Sequence, residues 1–172
     1  MSAPLTYTEI GATVDAGAAL PHGYHHVERR VRVGDGDVVF RALADGILSW
    51  AIQRGAGLTI KVSAERAALD VDITSVVRLG FVPIAAPCRV VRVIDEPDRI
   101  GFAYGTLRGH PEHGEEAFLV ERDAQGEVWF VVRAFSRPGV WWSRLGGPVA
   151  RLVQRRITDR YVRAAHESAA RA

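Results

Sequence analysis

The chain has 172 residues, of which 48% are apolar and 24% charged, and its formal net charge is +2. This length predicts one domain with a single core. The apolar runs are too short for a membrane-spanning helix, which needs about 20 residues. The N-terminus lacks the basic and apolar regions of a secretory signal, and the single cysteine, Cys88, excludes an internal disulfide framework. These features favour a cytoplasmic protein.

Residues 1–24 contain several Gly and Pro residues and show little periodicity. This composition predicts an irregular arm, with Tyr7 and Ile10 as its apolar anchors. We predict that the rest of the chain, residues 25–168, forms one domain.

The domain begins with a strand, His25–Val33, in which apolar residues alternate with polar ones. Asp37 follows a Gly-Asp turn and is a good helix N-cap. Apolar residues then recur every three or four positions, which predicts an amphipathic helix that ends near Arg54 and includes Trp50 in its buried face.

From residue 58 to residue 136 the apolar period changes to two, which predicts strands. Short turn-like connectors separate several of these segments and favour antiparallel pairing. The predicted strands are Leu58–Ser63, Val71–Phe81, Pro87–Ile94, Arg99–Thr106, Glu115–Arg122 and Glu127–Phe135.

The C-terminal segment predicts a helix of about 20 residues. Trp141-Trp142 precedes it, and Pro148 suits its first turn. An apolar stripe should bury this helix against the sheet, and it consists of Val149, Leu152, Val153, Ile157, Tyr161 and Ala164. The order of elements predicts an α+β fold, a curved antiparallel β-sheet with an N-terminal helix and a long C-terminal helix packed on one face.

The stretch Arg99–Gly114, RIGFAYGTLRGHPEHG, is the strongest candidate for a functional site. It begins as a strand that carries Tyr104. It then breaks near Thr106 into a loop interrupted by Gly and Pro. Titratable side chains are concentrated in this loop and directly after it, namely His110, Glu112, His113, Glu115 and Glu116.

Three roles are open for these side chains. His110 with Glu115 or Glu116 could be acid–base groups, because burial raises carboxyl pKa values and His titrates near neutrality. The same groups could instead satisfy loop backbone atoms or pair with Arg133 or Arg137. The residues predicted to contact a ligand are Tyr104, Thr106, His110, His113 and Trp50.

The H-x-x-H spacing of His110 and His113 on a loop is a weak metal signal. We therefore predict no metal and no cofactor. The last 36 residues carry eight Arg but only two acidic residues, Asp159 and Glu167. This asymmetry could mark a surface for an anionic partner or could be a solvated helix face. Sequence-specific binding of nucleic acid is not expected.

Several stretches resemble the domain-of-unknown-function family DUF1990, also called UPF0548. They are LPHGYHH (20–26), APCRVVRVIDEPDRIGFAYGTLRGHPEHGEEAF (86–118), AFSRPG (134–139) and RLGGPVARLVQRRITDRYVRA (144–164). The resemblance implies no particular activity. The order of elements is also similar to the helix-grip architecture of the START and Bet v 1 superfamily, in which a terminal helix and a curled sheet enclose a cavity.

Three functions follow. The best prediction is a soluble domain that binds an apolar or amphipathic small molecule between the sheet and the C-terminal helix. The alternative is an enzyme that uses the same cavity with His110 and Glu115 or Glu116. The third is an interaction module that uses the Arg-rich helix. An internal cavity would favour the first two, and a solid core with an exposed basic stripe would favour the third. The ligand, the oligomeric state and the pathway stay open.

Overall fold

The computed structural model describes residues 3–15, 17–79, 81–139 and 147–172. Its strands form one antiparallel sheet, in the spatial order first, seventh, sixth, fifth, fourth, third, second. This confirms the predicted α+β fold with an antiparallel sheet. The strands are β1 (His25–Asp35), β2 (Thr59–Val62), β3 (Asp72–Leu79), β4 (Val82–Glu96), β5 (Arg99–Thr106), β6 (Glu112–Arg122) and β7 (Glu127–Pro138).

The predicted strand bounds are closest for β5 and differ most for β4 and β6. β4 begins at Val82, five residues before the predicted start, because its first residues pair with β3. β6 begins at Glu112, because Glu112 and His113 continue the ladder with β7. The predicted loop is therefore only five residues long, 107–111, and the titratable residues after it belong to a strand.

In the part of the chain that the structure describes, three helices accompany the sheet, namely α1 (Gly36–Leu48), α2 (Ala51–Gly55) and α3 (Gly147–Ala169). The prediction of one helix from Asp37 to Arg54 is wrong at Trp50. This residue has a left-handed backbone with φ of 65° and separates α1 from α2. Its buried indole Nε1 donates to the Ala64 carbonyl at 3.1 Å. Asp35, not Asp37, is the N-cap residue of α1.

The main core lies between one face of the sheet and the helices. Large side chains from the central strands, such as Phe102, Phe118 and Phe130, pack with Leu43 of α1 and Tyr161 of α3. Because strand residues alternate between faces, their neighbours in sequence lie on the opposite side of the sheet. We call these two sides the helix face and the arm face.

The N-terminal arm covers the arm face. Val14 of the arm packs with the small group Ala103, Ala117, Leu119 and Val131. Tyr7 and Leu20 pack against Phe135 farther along the sheet. Tyr7 is a buried anchor, as expected, whereas Ile10 is 42% exposed and is not.

α3 packs closely on the other helices only in its C-terminal half. Tyr161, Ala164 and Ala165 are buried there, and Gly55 of α2 allows close contact with Ala164. The prediction that Leu152 is buried is wrong, because its side chain is 49% exposed. Leu152 lies about 100° around the helix from Val153, which faces the sheet across an open space.

Two sequence expectations about this segment have different outcomes. The helix begins at Gly147, so Pro148 is in its first turn as predicted. Trp141, Trp142 and the side chain of Val149 lie outside the described residues.

Among the residues that the structure does describe, no helix is long and apolar enough to cross a membrane.

Candidate functional site

A cavity of about 280 Å³ separates the N-terminal half of α3 from the helix face of the sheet. The cavity exists because the strands extend beyond the packed core at the end of the sheet next to the loop 107–111, and the N-terminal half of α3 does not pack against them there. Most of the wall is apolar, and its aliphatic part includes Leu58, Val77, Ile84, Ala86, Val153 and Ile157. The loop 107–111 borders the cavity through His110 and Pro111.

A phenol–carboxyl pair forms the polar part of the sheet wall. Tyr104 of β5 lies directly opposite Glu116 of β6 in the ladder, so both side chains are on the helix face. The Tyr104 hydroxyl donates to Glu116 Oε2 at 2.8 Å. The Tyr161 phenol approaches the same pair from α3, and the charge of Glu116 affects its pKa.

The electrostatics of this pair follow from burial. Desolvation raises the pKa of Glu116 to about 7, with a smaller increase from the charge of Glu112 and an opposing effect of the Tyr104 hydrogen bond. Burial first, and the charge of Glu116 second, raise the pKa values of Tyr104 and Tyr161. Near neutral pH, Glu116 therefore titrates between two phenols that stay neutral.

His110 and Glu112 complete the polar lining at the end of the cavity next to the loop. His110 Nδ1 lies 2.9 Å from the Glu112 backbone nitrogen and 2.8 Å from its carbonyl oxygen. These two contacts fix the orientation of the His110 ring through Nδ1. The other ring nitrogen, Nε2, takes part in neither of them. Burial lowers the pKa of His110 to about 4 and raises the pKa of Glu112. His110 is thus neutral at pH 7, unlike the near-neutral titration expected from sequence.

Glu115 borders the cavity, but its carboxyl group lies on the arm face and is bonded to the N-terminal arm. Its Oε2 accepts hydrogen bonds from the Tyr7 hydroxyl and the Gly11 N–H, both at 2.7 Å. Its Oε1 accepts from the N–H and hydroxyl of Thr13. We call this set of contacts the arm clasp. The arm occupies both carboxyl oxygens of Glu115, whereas Glu116, the other acid–base candidate on β6, faces the cavity.

The arm clasp depends on a close approach at Gly105. This residue pairs with Glu115 in the ladder, and a Cβ added to it would lie only 2.2 Å from the Tyr7 hydroxyl oxygen. Only glycine leaves room for the Tyr7 ring to cross β5 and reach the carboxyl group. The small residue that the sequence places beside Tyr104 therefore serves the arm face.

The other predicted ligand contacts divide between the two faces. Thr106 lines the cavity, but its hydroxyl is bonded to the Gly114 backbone and lies beside the Thr6 hydroxyl. His113 alternates with Glu112 and so shares the arm face with Glu115. Trp50 is fully buried in the core and does not belong to the cavity lining. The pairing proposed for Arg133 is also wrong, because this side chain bonds Glu28 and arm carbonyls.

Sequence reasoning missed the polar residues that α3 and β7 contribute. Gln154 and Thr158 line the cavity, and the Thr158 hydroxyl donates to the Gln154 carbonyl at 3.0 Å. Ser136 of β7 also lines it and lies within 3.5 Å of the Gln154 amide nitrogen. The sequence did contain a signal for the two helix residues. Gln154 and Thr158 are polar, lie four positions apart and interrupt the apolar face of the last helix.

Within the described residues, no group of three or more His, Cys, Asp or Glu side chains could hold a metal ion. Arg155, Arg156, Arg160 and Arg163 are exposed on α3, so a basic surface does exist. It occurs together with an internal cavity, which favours the first two functions over the third, and the titratable groups in that cavity are the feature expected for the second.

Comparison with known proteins relates most of the chain to one family. The model of "Domain of unknown function (DUF1990)" matches residues 6–164. A UPF0548 protein of Deinococcus radiodurans is 34% identical over 169 residues, which cover 92% of this chain and 84% of that protein.

Solved structures give the same fold at low identity. A hypothetical protein from Helicobacter pylori matches with a TM-score of 0.65 and 10% identity over 98% of both chains. The Zhui aromatase/cyclase from Streptomyces sp. R1128 matches with a TM-score of 0.59 and 17% identity, over 86% of this chain and 94% of that one. Bet v 1-like proteins occur among the structural neighbours, which confirms the predicted helix-grip fold.

Proposed function

The chain belongs to the DUF1990 family, and from its cavity we propose that it binds an apolar or amphipathic small molecule between the sheet and α3. The observation that carries this proposal is an apolar cavity with a few convergent polar groups at one wall. Its volume of about 280 Å³ is close to the lower end of ligand pockets, roughly 300–1,000 Å³.

The composition of the wall supports a ligand with two different parts. The aliphatic side chains of β3, β4 and α3 gain by contact with an apolar body, since burial of apolar surface is favourable. Tyr104, Glu116 and His110 supply the polar contacts that fix orientation. The Zhui aromatase/cyclase has the same fold, so this architecture also forms an enzyme in another protein.

A matched pair of variants tests the binding site. Ala86 lines the cavity, whereas Ala85 is exposed on the opposite side of β4. We expect the neutral fluorescent probe N-phenyl-1-naphthylamine to bind the natural protein and the Ala85→Phe variant with similar affinity. Ala86→Phe should fill the cavity and weaken binding at least tenfold. Equal binding by both variants, or no binding by the natural protein, would contradict the proposal.

A second function, proton transfer to or from the bound molecule, is favoured by one observation. The pKa of Glu116 is raised to about 7, and a general acid or base works best with a pKa near the working pH. Glu116 would exchange the proton, and Tyr104 would orient its carboxyl group. His110, kept neutral by burial, would serve as a hydrogen-bonding group. If a substrate is found, Glu116→Gln should lower kcat much more than it changes KM.

A further inference from the structure

Among the described residues, the charged side chains that line the cavity are carboxyl groups. Two carboxyl side chains, those of Glu112 and Glu116, belong to its lining, and Glu115 borders it with its oxygens bonded to the arm. The remaining titratable lining groups are the His110 ring, the Tyr104 and Tyr161 phenols and the Cys88 thiol. Within the described part of the chain, no Arg or Lys belongs to the lining.

The nearby arginines are engaged elsewhere. Arg133 bonds carbonyl oxygens of the arm on the arm face. Arg137 lies over the Tyr24 ring, and Arg89 forms a two-point ion pair with Asp72. None of these three side chains lines the cavity. None of these three arginines neutralises the carboxyl groups of the lining, and the cationic side chain that acts on them is His25, whose charge opposes the effect of burial on the pKa of Glu112.

The two carboxyl groups belong to the same face of one strand. Glu112 and Glu116 lie on the helix face of β6 with Gly114 between them, and the charge of Glu112 contributes to the raised pKa of Glu116. Tyr104 bonds Glu116 Oε2, so Oε1 is the atom that can accept a hydrogen from a ligand. On the facing strand, the Ser136 side chain opposes the effect of burial and lowers the pKa of Glu112.

From this arrangement we infer that the cavity selects amphipathic molecules whose polar end donates hydrogen bonds, above all a protonated amine, and rejects carboxylates with the same apolar chain. This inference rests on the proposed function. An ammonium group would make a charge-assisted hydrogen bond with Glu116, and the charge of Glu112 would add to the attraction. A carboxylate would meet like charge in a poorly solvated space, where Coulomb repulsion is strong. A hydroxyl end would rank between the two.

Three ligands with identical chains test the selection. Decylamine, decanol and decanoate are titrated calorimetrically at pH 8, where decanoate is ionised and which is above the pKa of about 7 of Glu116. We expect the amine to bind at least tenfold more tightly than decanoate, with decanol between them. Decanoate binding as tightly as the amine, or more tightly, would overturn the inference.

Two variants, each with one carboxyl group replaced by an amide, test whether the selectivity comes from the cavity. Glu116→Gln should lower the ratio of amine to decanoate affinity about tenfold. The control is Glu121→Gln, the same change on the same strand, where the carboxyl group pairs with Arg30 and Arg99 outside the cavity. It should leave the ratio unchanged. An equal loss of selectivity in both variants would overturn the inference in favour of a general charge effect.

Failure of the inference and failure of the proposed function give different results. If the neutral probe binds in a way that Ala86→Phe abolishes but none of the three ligands competes with it, the proposed cavity stands and the inference falls. If neither the probe nor any of the three ligands binds to the natural protein, both fall.

Discussion

Glu115 and Glu116 are neighbours on β6, yet they belong to different sides of the sheet and have different partners. Glu115 accepts hydrogen bonds from three arm residues and is 3% exposed. Glu116 receives a bond from Tyr104, faces the cavity, and has a pKa raised to about 7. The same side chain thus holds the fold together at one position and stays available for a ligand at the next.

The difference shows how strand alternation can separate stability from function. A buried carboxyl group surrounded by donors is well solvated by protein, whereas one with a single donor in an apolar wall is not. Residues of the second kind often lower stability and are kept for activity. The predictions below test whether the two positions differ in this sense.

The largest effect is expected from matched amide substitutions. Glu115→Gln should lower the free energy of unfolding by about 3 kcal/mol, because a charged acceptor of several buried bonds is lost and its amide group meets donors. Glu116→Gln should leave the free energy of unfolding unchanged or raise it by up to about 1 kcal/mol at pH 8, because a poorly solvated charge is removed. Urea unfolding of both variants measures this, and equal losses would show that the two carboxyl groups have the same role.

A smaller effect, on the order of 1–3 kcal/mol, is expected in the pH dependence of stability. The pKa of Glu116 rises on folding from 4.5 to about 7, so its contribution is present below pH 4.5 and is lost as the pH rises to about 7. The pKa of His110 falls on folding from 6.5 to about 4, so its contribution is lost as the pH falls from 6.5 to about 4.

These two slopes oppose each other in the natural protein. In Glu116→Gln the slope of His110 should predominate, so stability should increase with pH between 4.5 and 6.5 more steeply than in the natural protein. In His110→Asn the slope of Glu116, helped by the raised pKa of Glu112, should make stability decrease over the same range. Parallel profiles for all three proteins would argue against the pKa shifts.

Removal of one phenol oxygen on each side gives an effect of about 1 kcal/mol or less. Tyr7→Phe should lower the free energy of unfolding by about 1 kcal/mol, the value of a typical hydrogen bond. Tyr104→Phe should change stability less but should raise the pKa of Glu116 further, because the bond from Tyr104 favours the ionised carboxyl group. Carbon-13 NMR titration of the glutamate carboxyl groups measures this shift, and a lower pKa in Tyr104→Phe would reverse the assignment.

The smallest effect concerns the helix that covers the cavity. Leu152→Ala should reduce the free energy of unfolding by less than about 1 kcal/mol, because Leu152 is 49% exposed. The same change at Leu43, which is fully buried in α1, should cost about 2–5 kcal/mol. Thermal unfolding of the two variants is sufficient, and similar losses would mean that the start of α3 packs down and the cavity closes.

The strands were predictable because turn residues bound each run of alternating apolar residues. The sequence did not predict which face of the sheet Glu115 and Glu116 each occupy. The arm covers the arm face, so neither side of β5 and β6 is exposed to solvent. With both sides buried, the pattern that distinguishes inward from outward residues loses its contrast. The partners Tyr7 and Glu115 are also 108 residues apart, which no local pattern reveals.

The errors on the helices have related physical causes. Apolar spacing continues through Trp50, so it gives no sign that the backbone becomes left-handed there to bury the indole. The prediction for α3 assumed that its apolar stripe contacts the sheet along the whole helix. In the structure the C-terminal half of α3 is packed, whereas its N-terminal half lies across the cavity. Periodicity reports which residues avoid water, and an apolar cavity satisfies that requirement as well as a packed core does.

The arm clasp also imposes an order on biosynthesis. Its donors leave the ribosome first, but the acceptor Glu115 follows 102 to 108 residues later. At a translation rate of about 5–20 residues per second, the arm waits roughly 5–20 s for its partner strand. During that interval Tyr7 and Leu20 have no sheet to cover, so this segment of the nascent chain is an expected binding site for ribosome-associated chaperones.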